Sequence, residues 1–78
     1  MKITFTKHAR EMLLFRRINK EQVEEVIHHP DDKSAGKSGK TVLYKNFGKN
    51  YLKVVILKEK DEIVVITNHW IAKKRIKK

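Results

Sequence analysis

The sequence contains no cysteine, one proline and three glycines, and its 19 lysines and arginines stand against only nine aspartates and glutamates. Without cysteine, neither a disulfide nor a thiolate metal site can stabilise the chain, so the fold must depend on side-chain packing. The longest uninterrupted apolar runs, such as 54–57 and 63–66, are four residues and cannot form a membrane-spanning helix. The first residues also lack the apolar run of a signal peptide. These absences predict a soluble, cytoplasmic protein that does not associate with membranes.

The chain is short, but it is apolar enough to fold. Its 78 residues correspond to one small domain, which excludes an enzyme that combines a nucleotide-binding domain with a substrate domain. Apolar residues make up 40% of the sequence, which is more than a disordered basic tail contains and enough for a modest core.

The formal net charge of +10 is distributed unevenly along the chain. Residues 72–78 contain five basic and no acidic residues, so they carry half of the excess. We therefore divide the chain into a single domain, 1–71, and a basic C-terminal tail, 72–78. Such a tail is typical of proteins that bind phosphate backbones, because neutralising phosphates releases counterions. The alternative is a solvated end that only keeps the protein soluble. The nucleic-acid-binding candidates in the tail are Lys73, Lys74, Arg75, Lys77 and Lys78.

The N-terminal part of the sequence predicts one strand and two helices. Ile3 and Phe5 alternate with polar neighbours, which indicates a short strand. Thr6 suits the N-cap of a first helix over 7–17, whose apolar residues recur at helical spacing. Asn19, with Gln22 three residues later, has the form of a capping box and begins a second helix. Pro30 ends that helix.

The remainder of the domain predicts a loop and three strands. Residues 30–40 are polar and contain two glycines, so we expect a loop. Strand-like runs follow over 41–47, 51–58 and 62–71, joined by connections short enough for antiparallel hairpins. The order β-α-α-β-β-β predicts an α+β domain in which two N-terminal helices pack on an antiparallel sheet.

No metal or cofactor site is indicated. The run Ser38-Gly39-Lys40-Thr41 resembles part of a phosphate-binding loop, but a strand follows it instead of a helix, so the cradle of free N–H groups is missing. His28 and His29 are adjacent and point about 100° apart on a helix, which is unsuitable for chelating one ion. We therefore expect no metal and no cofactor.

Two histidines are candidates for acid–base chemistry. His8 lies in the first turn of the first helix, and His69 is expected on the last strand, on the same face as Ile63, Val65 and Thr67. If that face receives the helix, the two imidazoles meet and can serve as general acid and base near neutral pH. This is what metal-free cleavage of RNA by its own 2′-hydroxyl requires. The alternative is a pair of half-buried structural histidines.

Three basic residues in the domain are candidates for binding phosphate. Arg16 is expected inside the apolar stripe of the first helix, where a guanidinium needs an anion, either an internal carboxylate or a bound phosphate. A side chain that reaches past the stripe into water is the alternative. Lys53 interrupts the apolar central strand, and Arg10 lies on the first helix away from the stripe. Tyr44, Tyr51 and Trp70 could stack on bases or form cross-strand pairs.

Several short motifs resemble a known family. Thr6-Lys7-His8-Ala9-Arg10-Glu11, then Arg16-x-Ile18 and Val23-Glu24-Glu25-Val26, resemble the opening of a small RelE-like family of domains of unknown function. The closing strand 63–67, followed by Asn68-His69-Trp70, is also similar. The resemblance covers nearly the whole chain. Two departures stand out: Arg17 replaces the usual glycine before Ile18, and the apolar run 12–15 replaces a more charged stretch, which suggests an added surface for a partner.

This resemblance implies a fold similar to that of RelE and ParE toxins, which cleave messenger RNA on the ribosome without a metal or act on gyrase. His8 and Arg16 match the opening motif, and Thr67 and His69 match polar positions of the closing strand, so these four residues are the implied catalytic set.

The first hypothesis is therefore a toxin-like RNA-binding protein that acts as a metal-independent endoribonuclease, with ribosome-bound messenger RNA as one form of its substrate. His8 and His69 would exchange protons, Arg16 would stabilise the phosphorane, and Lys53 with the tail would hold the RNA backbone. An acidic antitoxin would cover the basic, apolar surface. The alternative is a non-catalytic nucleic-acid- or protein-binding module of the same fold, including a gyrase inhibitor.

Overall fold

The structure is a computed structural model of the chain, and it describes residues 2–72. The elements, in chain order, are β1 (Lys2–Phe5), α1 (Lys7–Phe15), α2 (Lys20–His28), β2 (Asp32–Ala35), a short 3₁₀ turn (Lys37–Gly39), β3 (Thr41–Asn46), β4 (Asn50–Glu59) and β5 (Glu62–Ala72). The predicted α+β class, with two helices packed against a sheet, is confirmed.

The five strands form one mixed sheet in the order β1-β5-β4-β3-β2. The strands β2 to β5 are antiparallel neighbours, whereas β1 runs parallel to β5, from Lys2 opposite Glu62 to Phe5 opposite Val65. The prediction of a purely antiparallel sheet is therefore wrong. Because the two helices carry the chain from one edge of the sheet to the other, β1 is left beside the last strand and runs in the same direction.

The expected loop over 30–40 contains an edge strand, β2. Its pairing with β3 runs from Asp32 opposite Tyr44 to Ala35 opposite Thr41. The Asp31 carboxylate also accepts a hydrogen bond from the Asn46 backbone N–H at 2.8 Å. The sequence does not indicate this strand, because its residues are polar and mostly exposed and so show no apolar alternation.

Both predicted helix starts are confirmed by their caps. The Thr6 hydroxyl accepts a hydrogen bond from the Ala9 N–H at 3.1 Å and begins α1. At α2, the Asn19 side chain accepts from the Gln22 N–H at 2.9 Å, and the Gln22 side chain accepts from the Asn19 N–H at 3.1 Å. These reciprocal bonds satisfy N–H groups that have no partner within the helix.

The first helix ends two residues before the predicted position, in a turn centred on Arg17. The N–H of Ile18 bonds to the carbonyl of Leu13 at 2.9 Å, and the N–H of Arg17 bonds to the carbonyl of Leu14 at 3.4 Å. This pattern is a Schellman motif, which requires a left-handed residue after the helix. Arg17 takes that conformation, with φ 55°. The turn then delivers Ile18, which is buried, into the core.

One apolar core lies between the two helices and one face of the sheet. Its buried residues are Ala9, Ile18, Val23, Val26, Leu43, Leu52, Val54, Ile56, Ile63 and Val65. Because both helices contribute to this single cluster, the opposite face of the sheet is not covered by either helix. We call it the open face. Within residues 2–72, no helix has the length and apolarity needed to cross a bilayer.

Candidate nucleic-acid interface

A β-bulge decides which way the functional residues of β5 point. In the pairing with β4, Val55 lies opposite Thr67 but Ile56 lies opposite Val65, so Ile66 is an extra residue. Ile63 and Val65, before the bulge, are buried under the helices. After the bulge, the residues directed at the helices are Asn68 and Trp70, because Asn68 donates to the carbonyl of Ala9 and Trp70 to the carbonyl of Arg16.

Thr67 and His69 therefore point to the open face. A strand alternates its side chains, and an extra residue reverses the alternation beyond it. The expectation that His69 shares a face with Ile63 and Val65 is wrong, and the bulge at Ile66 is the reason.

His8 lies in the helix layer, on the other side of the sheet from His69. It is exposed on α1, one residue before the buried Ala9, and it lines a hollow on the outer surface of the helix together with Glu11, Met12 and Phe15. The sheet separates the two imidazoles. The predicted acid–base pair of His8 and His69 is therefore not formed, which removes the geometric reason for a catalytic role of His8.

On the open face, His69 belongs to a row of side chains that crosses the sheet. His69 lies opposite Lys53 of β4, and Lys53 lies opposite Tyr44 of β3. Directly opposed residues on neighbouring strands have Cβ atoms roughly 5 Å apart, so these side chains are neighbours. The row ends on β2 at Asp32, whose carboxylate accepts the Lys33 N–H at 2.9 Å.

Thr67 belongs to the next row of the open face. It lies opposite Val55, which lies opposite Val42, so its hydroxyl is the polar group among apolar neighbours. All three side chains are half-buried. Thr67 is thus on the same face as His69 and two residues away along the strand.

Arg16 lies at the end of α1, where its positive charge is close enough to affect His69. Its carbonyl accepts a hydrogen bond from Trp70 Nε1 at 3.1 Å, which fastens the end of the helix to β5. The helical spacing predicts that Arg16 lies inside the apolar stripe, and this prediction is wrong. Because α1 ends at Phe15, Arg16 lies beyond the helix and is exposed.

The imidazole of His69 is held close to two cations. Burial lowers the pKa of His69 below its ordinary value of 6.5, and the positive charges of Lys53 and Arg16 lower it further. Both effects disfavour the protonated form, so His69 is a neutral imidazole at neutral pH. We call Arg16, Lys53 and His69 the cationic cluster.

Within the described part of the chain, no carboxylate forms an ion pair with Arg16 or Lys53. The ion pair found there joins Lys45 to Glu25 at 4.0 Å, in the helix layer. The cationic cluster therefore offers two positive charges and a neutral base to an anion from outside the domain.

Other predicted residues lie away from this cluster or outside the described range. Arg10 is exposed on α1, in the helix layer. The tail residues Lys73, Lys74, Arg75, Lys77 and Lys78 lie outside residues 2–72. In that same range, no group of three or more His, Asp or Glu side chains is placed to hold a metal ion.

Two residues have roles that sequence reasoning missed. Trp70, a candidate for base stacking, instead donates to the Arg16 carbonyl at the end of α1 and packs edge-on against Phe47, with ring centroids 5.9 Å apart. Asn68 is fully buried and donates to the Ala9 carbonyl at 3.4 Å, while its Oδ1 has no hydrogen-bond partner among the described residues. Nothing in the local sequence signals either contact, because the bulge determines both.

The sequence of the chain also matches a known family. A family described as a domain of unknown function (DUF4258) matches residues 5–67. The chain belongs to the DUF4258 family. The segment shared with this family runs from the end of β1 to Thr67, so it includes both helices, Arg16 and Lys53. His69 lies two residues beyond it. No curated protein and no solved structure matches this DUF4258 chain at a significant level.

Proposed function

We propose that this DUF4258 domain is a toxin-like RNA-binding protein that contacts single-stranded RNA through the open face of its sheet and cleaves it without a metal. The observation that carries the proposal is the cationic cluster, in which a neutral His69 imidazole lies opposite Lys53 and close to Arg16, on the sheet face that neither helix covers. The opening and closing motifs resemble a RelE-like family of domains of unknown function, and the toxin fold that this resemblance implies supports the same proposal.

Binding would rest on phosphate contacts. Arg16 and Lys53 come from different elements and have no ion-pair partner within residues 2–72, so their charges are available to two oxygens of a bound phosphate. An arginine presents a fork of N–H donors to phosphate, whereas a lysine acts as a point charge. Tyr44, beside Lys53 in the same row, offers a ring on which an RNA base stacks.

Cleavage would use the neutral state of His69. In the proposed reaction the imidazole accepts the proton of the 2′-hydroxyl, the 2′-oxygen attacks the adjacent phosphorus, and the bond between phosphorus and the 5′-oxygen breaks. The leaving 5′-oxygen takes a proton from water, and the protonated imidazole returns its proton to the solvent. The products are a 2′,3′-cyclic phosphate and a 5′-hydroxyl. Arg16 and Lys53 stabilise the additional negative charge on the phosphorane oxygens. His8 takes no part, since the sheet lies between it and His69.

A protein partner fits the same proposal. Leu14 and Phe15 are each 85% exposed at the end of α1, next to the basic residues Arg16 and Arg17. Exposed apolar side chains beside positive charges suit an acidic protein with apolar anchors, as an antitoxin would be. Such a partner would also cover Arg16 and so block the cationic cluster.

The test measures RNA binding and cleavage separately. Binding of a fluorescent single-stranded RNA is followed by anisotropy in EDTA for the wild type, for Arg16→Ala/Lys53→Ala, and for the matched control Arg10→Ala/Lys49→Ala. We expect the first variant to lose at least about tenfold in affinity, with a log–log salt slope smaller by roughly 1.4, and the control to lose much less. Equal losses in the two variants would contradict the proposed interface.

Cleavage is then tested with His69→Gln. The wild type should produce 2′,3′-cyclic phosphate ends in EDTA, while His69→Gln should bind RNA but not cleave it, and His8→Ala should cleave normally. Binding without cleavage by the wild type would leave the non-catalytic alternative, in which the same face only holds RNA.

A further inference from the structure

A hollow of about 380 Å³ opens on the helix side of the sheet, beyond the end of α2. Its floor consists of Leu43, Ile56 and Ile63, one residue from each of three neighbouring strands, and its wall includes Ile27 and Pro30. The three floor residues belong to the core and are at most 7% exposed. The hollow is therefore apolar at its base, and the sheet separates it from the cationic cluster.

The rim of the hollow is positively charged. Lys33 lies opposite Leu43, and Lys58 lies opposite Ile63, so both lysines share the helix side of the sheet with the floor. His28, from the last turn of α2, also lines the hollow. Among the described residues that line it, none is an aspartate or a glutamate.

The negative end of the α2 dipole is already compensated. The carbonyl groups at the C-terminus of α2 carry partial negative charge. However, Lys45 Nζ lies 2.9 Å from the His29 carbonyl oxygen and donates to it, and it also lies 4.0 Å from the Glu25 carboxylate. The end of the helix therefore does not cancel the charge that the rim lysines present to the hollow.

We propose that this hollow binds a small amphipathic carboxylate, with an apolar body on the floor and its carboxylate at the lysine rim. The volume lies within the range of small-molecule sites and accommodates a body of about six to ten carbons. A nucleotide or free phosphate fits less well, because it would cover the apolar floor with polar groups. The site is independent of the proposed RNA interface, since the two lie on opposite faces of the sheet.

The first experiment is an NMR titration of the ¹⁵N-labelled protein with octanoate. Saturable shifts are expected at the amides of Leu43, Ile56 and Ile63. Affinity should rise at least about tenfold from butanoate to octanoate, because the added methylenes are buried. It should fall about tenfold when 1-octanol, which lacks the charge, replaces octanoate. Shifts that do not saturate, or equal affinities for octanol and octanoate, would overturn the proposal.

The second experiment assigns the charge to the rim. The variant Lys33→Gln/Lys58→Gln should bind octanoate about tenfold more weakly and octanol as well as the wild type does. The matched control, Lys7→Gln/Lys49→Gln, removes the same net charge away from the hollow and should leave both affinities unchanged. If the control loses as much octanoate affinity as the rim variant, the net charge explains binding and the site is refuted. Arg16→Ala/Lys53→Ala should bind octanoate as tightly as the wild type, because both residues lie away from the hollow. The octanoate experiment therefore tests the hollow whether or not the open face binds RNA.

Discussion

The indole N–H of Trp70 donates a 3.1 Å hydrogen bond to the backbone carbonyl of Arg16. This contact joins the last strand to the end of the first helix. Trp70 directly follows His69 in the sequence. Arg16, which accepts the bond through its carbonyl, also carries one of the two positive charges of the cationic cluster. The bond therefore links the packing of the first helix on β5 to the position of Arg16 close to His69.

Replacing Trp70 with phenylalanine tests that coupling. The variant keeps an aromatic ring beside Phe47 but removes the donor, so we expect the free energy of unfolding to fall by about 1 kcal/mol, which corresponds to a melting temperature roughly 4–8 °C lower. RNA affinity should fall as well, because Arg16 is no longer fixed. In the Arg16→Ala background, the substitution should not reduce RNA affinity further, and an undiminished second loss would show that Trp70 acts independently of Arg16.

Arg17→Gly should stabilise the protein. Arg17 has φ 55°, a left-handed conformation that costs a non-glycine residue about 1 kcal/mol or more and that glycine adopts freely. Its N–H and that of Ile18 already form the hydrogen bonds of a helix-ending motif, so glycine preserves the turn. Thermal melts should show a gain, whereas Arg17→Ala should show none. A lower melting temperature for the glycine variant would mean that the arginine side chain itself stabilises the turn.

The stability of the fold should depend on pH through His69. Burial, with smaller contributions from Lys53 and Arg16, lowers the pKa of His69 below its ordinary value of 6.5. Between the lowered pKa and 6.5, the unfolded chain binds more protons than the folded one, so the free energy of unfolding falls as the pH falls through this interval. His69→Gln cannot titrate.

The measurement compares urea unfolding of the wild type and His69→Gln at about pH 8 and about pH 5. The stability of the wild type relative to the variant should decrease on acidification. A constant difference would contradict the assigned environment. A bound phosphate would have the opposite effect on His69, because its negative charge favours the protonated imidazole and raises the pKa. The RNA affinity of the wild type should therefore increase as the pH falls. The RNA affinity of His69→Gln should change less.

The parts of the fold that local chemistry determines were predictable from the sequence. Thr6 and the pair Asn19 and Gln22 mark the helix starts because capping requires those side chains at that spacing. Long-range pairing was not predictable in the same way. Residues 32–35 form an edge strand without apolar alternation, and β1 joins β5 in parallel only because of how the helices cross the sheet.

For the candidate site, one extra residue made the difference. Lys53 is identifiable from the sequence because it interrupts an apolar strand, but the hairpin register that starts with Glu59 opposite Glu62 would by itself place Asn68 opposite it. The bulge at Ile66 has no distinctive sequence, yet it exchanges the faces of every residue after it. The bulge places His69 on the face opposite His8 and next to Lys53. The candidate site therefore consists of one histidine and two cations, and the predicted pair of histidines is not formed.

Asn68→Val should raise stability. The Asn68 side chain is fully buried, and its Oδ1 has no hydrogen-bond partner among residues 2–72, so the native state bears the desolvation cost of that oxygen. A β-branched apolar side chain suits the strand and removes the cost, with an expected gain of about 1 kcal/mol measured by urea unfolding. Asn68→Asp, which places a charge at the same position, should destabilise the protein. A loss of stability in the valine variant would indicate that the amide oxygen is satisfied by a group from outside this range.

Deleting residues 73–78 separates the contribution of the tail from that of the open face. The six residues contain five of the 19 basic residues of the chain, and the core described above is formed by residues between Ala9 and Val65. We expect the melting temperature to stay close to that of the full chain, because the sheet and its apolar core are kept. RNA affinity should fall, and the log–log salt slope should decrease by at most about 3.5, since each lost phosphate contact on a single strand contributes about 0.7. Combining the deletion with Arg16→Ala/Lys53→Ala should reduce the slope further, because the two sets of contacts are distinct. If the deletion leaves affinity and slope unchanged, the tail serves solubility and the open face alone accounts for RNA binding.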